Sequence, residues 1–152
     1  MTTCEAAAAF DPAATLKPLM HQFQAIWDTG ATNSVITQHV IDTCGLKPTG
    51  MKEVHGVHGS ALSETFLVNI RLPNGVGFAN IDVTRGELLG GHLLIGMDII
   101  TRGDFSITNV GKTVFSFRVP SVTTVDFVKE ATLLNKMGPK HGVRTGKHKR
   151  GK

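Results

Sequence analysis

A mostly β fold in a single domain is what this sequence predicts, on three observations. Segments rich in Val, Ile, Thr and Phe recur along the chain and are broken by Gly, Asn and Pro, the composition of strands and turns. Seventeen glycines (Gly 17) supply those turns. The length of 152 residues suits one domain that can bury a real core.

Residues 1–21 are Ala-rich, and Pro12 and Pro18 argue against one long helix, so a loose arm is expected there. Residues 22–27 alternate weakly and read as a strand entering a turn at Asp28. Residues 34–44 suit a short helix or a strand and stop at Gly45. Residues 51–57 and 63–72 read as strands, and the Gly-rich stretch 56–61 between them reads as a mobile hairpin tip. Pro73-Asn74-Gly75 is a turn, residues 76–83 alternate into another strand, and Arg85-Gly86-Glu87 turns the chain again. Residues 92–95 are a short apolar run of the kind a buried strand shows. Gly96 ends it, and residues 97–101 fit one helical turn before Gly103. Residues 104–109 and 113–119 pair as a hairpin around Asn109-Val110-Gly111-Lys112. Pro120 closes the domain, and residues 122–134 suit a terminal strand or a short helix. The chain thus divides into an arm (1–21), a core domain (22–120), an extension (121–135) and a tail (136–152), with no internal repeat.

The formal net charge of +4 is unevenly spread. Residues 1–135 hold 9 Lys+Arg and all 12 Asp+Glu, whereas 136–152 hold seven cations (Lys136, Lys140, Arg144, Lys147, Lys149, Arg150, Lys152) and no acid. The tail therefore carries the basic character and, with its glycines, is expected to be disordered in isolation. No apolar run approaches the roughly 18 residues of a membrane span, so no membrane partner is expected. The N-terminus makes a poor signal peptide, having an early Glu5 and no basic region. Cys4 and Cys44 lack metal spacing and read as reduced thiols of a cytoplasmic protein.

Two stretches carry chemistry. In Ala25-Ile26-Trp27-Asp28-Thr29-Gly30-Ala31-Thr32-Asn33-Ser34 an apolar run delivers a carboxylate to a turn of small and hydroxyl-bearing residues. Gly30 permits the tight turn, Ala31 keeps the wall beside it narrow, and Ile26 and Trp27 are expected to bury the approach strand. Asp-Thr-Gly alone is a common solvated turn; its apolar prefix, its Gly-Ala-x-x-Ser suffix and the second stretch, Leu93-Leu94-Ile95-Gly96-Met97-Asp98, set it apart. Asp98 has no following Thr-Gly and reads as a helix cap or first-turn acid rather than a second catalytic acid.

Over roughly residues 22–120 these stretches resemble the retropepsin-like (retroviral-type) aspartic proteases. That family is marked by an apolar-apolar-Asp-Thr/Ser-Gly-Ala loop followed by an apolar-apolar-Gly segment. The resemblance implies an all-β, single-lobe, closed-barrel-like retropepsin (acid protease) fold with a hairpin flap and one short helix. It implies an aspartic endopeptidase, without cofactor or metal, in which two carboxylates share one proton. Like charges a few Å apart resist double ionisation, so one acid stays protonated while the other accepts a proton from water. With one Asp-Thr-Gly per chain, the two Asp28 residues of a homodimer would hold that water. Thr29 stands where the family's Thr clamps the two loops across the dimer axis. By the resemblance Thr29, Gly30, Ala31 and Ser34 support the active-site loop, and Leu94, Ile95 and Gly96 match the segment that passes beneath it. The run onward to Ile100 looks more like the cellular and bacterial members than the viral ones. Viral enzymes usually place an ion-paired Arg and Asp where this chain has Met97 and Thr32, so both partners are absent together.

The flap is expected at residues 54–60, around His55, Gly56, Val57, His58 and Gly59. It would cover an extended peptide or protein substrate paired through its backbone. His55 and His58 read as solvated flap residues and not as metal ligands. The 136–152 tail suits weak binding of a polyanion such as nucleic acid, though it has no aromatic residue for stacking on bases. The rival reading is a non-enzymatic dimerising or peptide-binding scaffold with the same fold.

Overall fold

The computed structural model describes residues 1–56 and 59–136. Val57 and His58 of the expected flap, and residues 137–152 of the basic tail, lie outside the described residues. The chain divides into two compact units, Met1–Val122 and Thr123–Lys152.

The first unit contains β1 (Thr2–Ala8), β2 (His21–Trp27), β3 (Val35–Ile36), α1 (Gln38–Cys44), β4 (Gly50–Gly56), β5 (Gly59–Arg71), β6 (Gly77–Arg85), β7 (Leu93–Ile95), α2 (Met97–Ile100), β8 (Asp104–Thr108) and β9 (Val114–Arg118). Among the described residues, seven strands form one mixed sheet in the order β1-β2-β7-β3-β6-β5-β4. A further antiparallel pairing, Glu5↔Arg71 to Ala8↔Val68, joins β1 to β5 and closes the sheet into a ring. One edge of the long β5 therefore serves two strands. Its first half pairs with β4 from Gly59 to Thr65, and its second half pairs with β1.

Period-two alternation fills the ring. Phe23 and Ala25 of β2, Phe66, Val68 and Ile70 of β5, Ile81 and Val83 of β6, and Leu93 and Ile95 of β7 are buried. Val40 and Ile41 of α1 and Ile99 and Ile100 of α2 complete the core. The 34–44 segment resolves into β3 followed by α1, which ends at Gly45 in the left-handed region (φ 59°). Among its described residues the unit carries two short helices, α1 and α2, where one is expected. A register shift between Val68 and Ile70 turns Asn69 inward. Its side chain donates to the Phe10 carbonyl (2.7 Å) and accepts from the Asn80 N–H (2.9 Å), so the buried amide is satisfied.

The segment expected as a loose arm differs most. Residues 2–8 form a strand hydrogen-bonded on both sides, to β2 and β5. Ala is a weak strand former, which hides this strand in the sequence. Its small side chains suit the positions beside the core, where Cys4, Ala6 and Ala7 are at most 1% exposed. Burial pushes the Cys4 and Cys44 thiols up to about 11. Neither offers a thiolate nucleophile at neutral pH.

β8 and β9 form a separate hairpin with Phe105↔Phe117 and Ile107↔Phe115 paired on one face. The expected hairpin is present. At its base Gly103 lies so close to Arg118 that a Cβ would sit 2.1 Å from the Arg118 carbonyl oxygen. Asp104 accepts from the Ser121 hydroxyl, the Val122 N–H (3.0 Å) and the Arg118 guanidinium (2.8 Å).

The second unit contains α3 (Phe127–Lys136), so helix is the outcome for the 122–134 segment. Asp126 caps it, its Oδ1 accepting from the N–H groups of Val128 (3.1 Å) and Lys129 (3.2 Å).

Two outcomes follow from this architecture. Deleting residues 1–8 removes a strand paired on both edges and opens the ring, so the truncated protein should lose its cooperative thermal transition; an unchanged melt would show that β1 is dispensable. The Ser121 hydroxyl, then the Val122 N–H and Arg118, hold the Asp104 carboxyl well below the usual carboxylate range. A depressed folded-state pKa gives stability that is present above about pH 4 and lost as pH falls below it. Thermal melts from neutral to acidic pH should therefore fall less steeply in Asp104→Asn than in the parent; parallel curves would contradict this.

Candidate active site

Parallel pairing of β2 with β7 (Ala25↔Leu93, Ile26↔Leu94, Trp27↔Ile95) brings the two motifs together. One residue beyond, the Asp28 N–H donates to the Ile95 carbonyl (3.0 Å), so the catalytic-loop candidate leaves the sheet at a fixed point. The chain then turns tightly. The Gly30 N–H donates to Asp28 Oδ1 (2.8 Å), and the Ala31 N–H to the Asp28 carbonyl (3.4 Å). A Cβ at Gly30 would lie 3.2 Å from that same Oδ1, which explains the small residue there. Asp28 Oδ2 has no hydrogen-bond partner among the described residues. Asp28 is half-buried as a residue, while Thr29 and Gly30 are exposed. One oxygen is thus anchored by the backbone and the other is available.

The second motif supports the loop through its backbone and through one carboxylate. The Gly96 N–H donates to Ser34 Oγ (3.1 Å). The first N–H groups of α2 donate to the loop carbonyls, Met97 to Ala31 (2.8 Å) and Asp98 to Thr32 (3.1 Å). This satisfies helix-start donors that no capping side chain serves. Asp98 returns the contact. It accepts from the Ser34 hydroxyl (2.8 Å), the Ser34 N–H (3.1 Å) and the Ile99 N–H (3.0 Å). Ser34 is 0% exposed, so its hydroxyl is fully used, donating to Asp98 and accepting from Gly96. A Cβ on Gly96 would lie 2.6 Å from the Asn33 carbonyl carbon and 2.7 Å from its oxygen. Only glycine fits where the two motifs touch.

The approach strand is held differently from the sequence expectation. Ile26 and Trp27 are only half-buried: Ile26 alternates away from the inward positions Phe23 and Ala25, and Trp27, on their side of the strand, packs against the core from the end of β2. Trp27 is also covered by the β8–β9 hairpin, with ring centroids 4.9 Å from Phe115, 5.0 Å from Phe117 and 6.1 Å from Phe105. Its indole N–H donates to Thr2 Oγ1 (3.2 Å). The residue before Asp28 is thereby fixed by β1 on one side and the hairpin on the other. The alternation of Phe105, Ile107, Phe115 and Phe117 marks that face in the sequence, but what it covers is set by tertiary structure.

The structure therefore unites Asp28, Thr29, Gly30, Ala31 and Ser34 with Leu94, Ile95 and Gly96. His55, Gly56 and Gly59 sit apart on the β4–β5 hairpin, where Gly56↔Gly59 and His55↔Ser60 pair. Among the described residues no hydrogen bond joins that hairpin to the Asp28 loop. The His39 and His92 rings lie with centroids 4.7 Å apart and tilted by 55°, and among the described residues no group of three or more His, Cys, Asp or Glu is placed to hold a metal ion. Clefts of about 370 Å³ and 300 Å³ lie beside β5, and neither is lined by Asp28.

Asp98 is the functional-site residue whose role the sequence leaves undecided between cap and first-turn acid. It is a first-turn acid of α2 that braces the Asp28 loop. Ser34→Ala removes the hydroxyl that joins Gly96 to Asp98 and should cost about 1–3 kcal/mol of stability, read as a shifted urea midpoint. Gly96→Ala should cost more, since the methyl meets backbone. An unshifted midpoint for Ser34→Ala would show that the brace carries no load.

A family model described as "gag-polyprotein putative aspartyl protease" matches residues 20–102, more than half of the chain. No curated protein matches the chain. Among solved structures it is similar to the simian foamy virus (mac) protease, at 15% identity over 65% of this chain and 91% of that one, with a TM-score of 0.41. It is also similar to a retropepsin-like aspartic protease from Rickettsia conorii (22% identity, 69% and 74% covered, TM-score 0.44). A third similar structure is the retroviral protease-like domain of Ddi1 from Leishmania major (16% identity, 76% and 94% covered, TM-score 0.41). With its Asp-Thr-Gly turn packed on a Leu-Ile-Gly segment inside the matched span, the chain belongs to the gag-polyprotein family of retropepsin-like aspartyl proteases.

Proposed function

We propose that two copies of this chain form an aspartic endopeptidase in which the two Asp28 carboxyl groups hold the attacking water. The observation that carries this reading is the state of Asp28. It directly follows β2 of a closed sheet, one oxygen is fixed by the Gly30 N–H, and the other has no partner among the described residues. One carboxyl of the pair, ionised, takes the proton of the water as it attacks the peptide carbonyl carbon. The other, protonated, hydrogen-bonds the carbonyl oxygen as negative charge develops there. Collapse of the tetrahedral species sends a proton to the leaving amine, and the pair returns to its shared-proton state.

The surrounding residues suit a shared site. Thr29 is exposed beside Asp28, available to pair with its counterpart in a second copy. The β8–β9 hairpin leaves Ile107 56% exposed and Phe115 38% exposed at the outer end of its apolar face, surface that self-association would bury. The β4–β5 hairpin, with residues 51–53 and 59–62 exposed, has the form of a cover for an extended peptide.

Asp28→Asn keeps the acceptor for the Gly30 N–H and so should fold like the parent. It should lower cleavage of an unstructured protein by at least about 10²-fold, the lower range for loss of a general base. Activity per chain should rise with protein concentration in step with the dimer seen by sedimentation. Full activity in Asp28→Asn would remove Asp28 from the mechanism. A well-folded dimer without turnover would favour the peptide-binding scaffold.

A further inference from the structure

We propose that Thr2 is a positioning residue for the reaction at Asp28: its hydroxyl, by accepting the Trp27 indole N–H, fixes the end of β2 from which the carboxyl group is presented. This deepens the peptidase reading and rests on it. β1 and β2 pair with Thr2 opposite Ala25. Trp27, two residues further on and on the same side of its strand as Ala25, is therefore the diagonal neighbour of Thr2, within reach of a long side chain. Cys4, Phe23 and Ala25 line that side and are buried. Thr2 and Trp27 are the half-buried pair at its end, beside Asp28.

Aromatic packing by itself leaves the indole a choice. Phe105, Phe115 and Phe117 meet it with interplanar angles of 39°, 50° and 54°, and such apolar contacts are not directional. A tryptophan ring has two broad orientations about χ2, which differ in where the N–H points. The hydrogen bond selects one of them. Among the described residues the indole N–H has Thr2 Oγ1 as its acceptor (3.2 Å), and the Thr2 hydroxyl makes no second hydrogen bond. The choice reaches the carboxyl group through the backbone. Trp27 pairs with Ile95, and the Asp28 N–H donates to the Ile95 carbonyl (3.0 Å). The Gly30 N–H then holds Asp28 Oδ1 (2.8 Å). A rotation at Trp27 therefore enters the peptide group that carries Asp28, and misplacing a reacting group by about 1 Å costs roughly 10²-fold in rate. A bond that only pinned the end of β1 would act otherwise: stability would fall while the loop stayed in place.

Three variants of the full chain test this. Thr2→Val keeps a β-branched side chain and removes the acceptor, Thr2→Ser keeps the acceptor, and Trp27→Phe removes the donor without touching β1. The Gly30 amide resonance in a proton–nitrogen correlation spectrum reports the Asp28 carboxyl group whether or not the chain is active, because that N–H is bonded to it. It should move in Thr2→Val and in Trp27→Phe and return in Thr2→Ser. At concentrations where sedimentation shows the dimer, kcat for an unstructured protein substrate should fall by about tenfold in the first two variants, less than a full 1 Å misplacement costs. KM should stay as in the parent, and Thr2→Ser should restore kcat. A Gly30 resonance unmoved in both Thr2→Val and Trp27→Phe, or a parental kcat in both, overturns the proposal even where the melting temperature falls. A parent that cleaves nothing while its Gly30 resonance moves and is rescued sinks the peptidase reading instead, and leaves the hold of Thr2 on the Asp28 carboxyl group standing.

Discussion

The Ser34–Asp98–Gly96 clasp is the interaction on which the site depends. A buried hydroxyl links two segments separated by more than sixty residues, accepting from one backbone N–H and donating to one carboxylate. Because Ser34 has no exposure and Gly96 has no room for a side chain, the loop carrying Asp28 has one seat on the second motif. Hydrogen bonds to a charged acceptor are stronger than neutral ones, and here three donors converge on Asp98. The viral-type Arg–Asp pair is absent from this chain. Met97 and Thr32, which stand in its place, join the loop to α2 through backbone groups, and Asp98 supplies the charge-assisted part of the brace.

That clasp needs a frame, which the closed sheet provides. β2 and β7 are parallel neighbours, a pairing that a short connection cannot make. The intervening β3 to β6 excursion carries the chain out to the β4–β5 hairpin and back. β1 closes the ring against β5 and also receives the Trp27 indole through Thr2. The N-terminal strand is therefore part of the support for the residue that precedes Asp28. The β8–β9 hairpin covers the same Trp27 from another side. Strand end, hairpin and clasp each restrict a different degree of freedom of the loop, and a fixed carboxylate is what general acid–base chemistry requires.

Asp28 keeps one oxygen without a hydrogen-bond partner among the described residues, while the Gly30 N–H holds the other. In the proposed function the Asp28 carboxyl group of a second copy is the group that faces it.

Much of this protein is written locally. The Asp28 turn, the Leu-Ile-Gly segment, the β8–β9 hairpin and the strands β5 and β6 follow from short-range pattern, because turn chemistry and two-residue alternation are local properties. The uneven charge is likewise legible from composition. Tertiary structure decided what depends on partners distant in the chain. Residues 2–8 are a strand only because β2 and β5 offer edges to a run of alanines with little strand preference of its own. The 34–44 segment is strand then helix because β6 and β7 take its first residues. Ile26 and Trp27 proved half-buried, since Ile26 alternates to the outer side of β2 and Trp27 lies at the end of the strand, where the β8–β9 hairpin covers it. Asp98 becomes a brace only when Ser34 arrives beneath it, and no spacing in the sequence encodes a contact made across the fold.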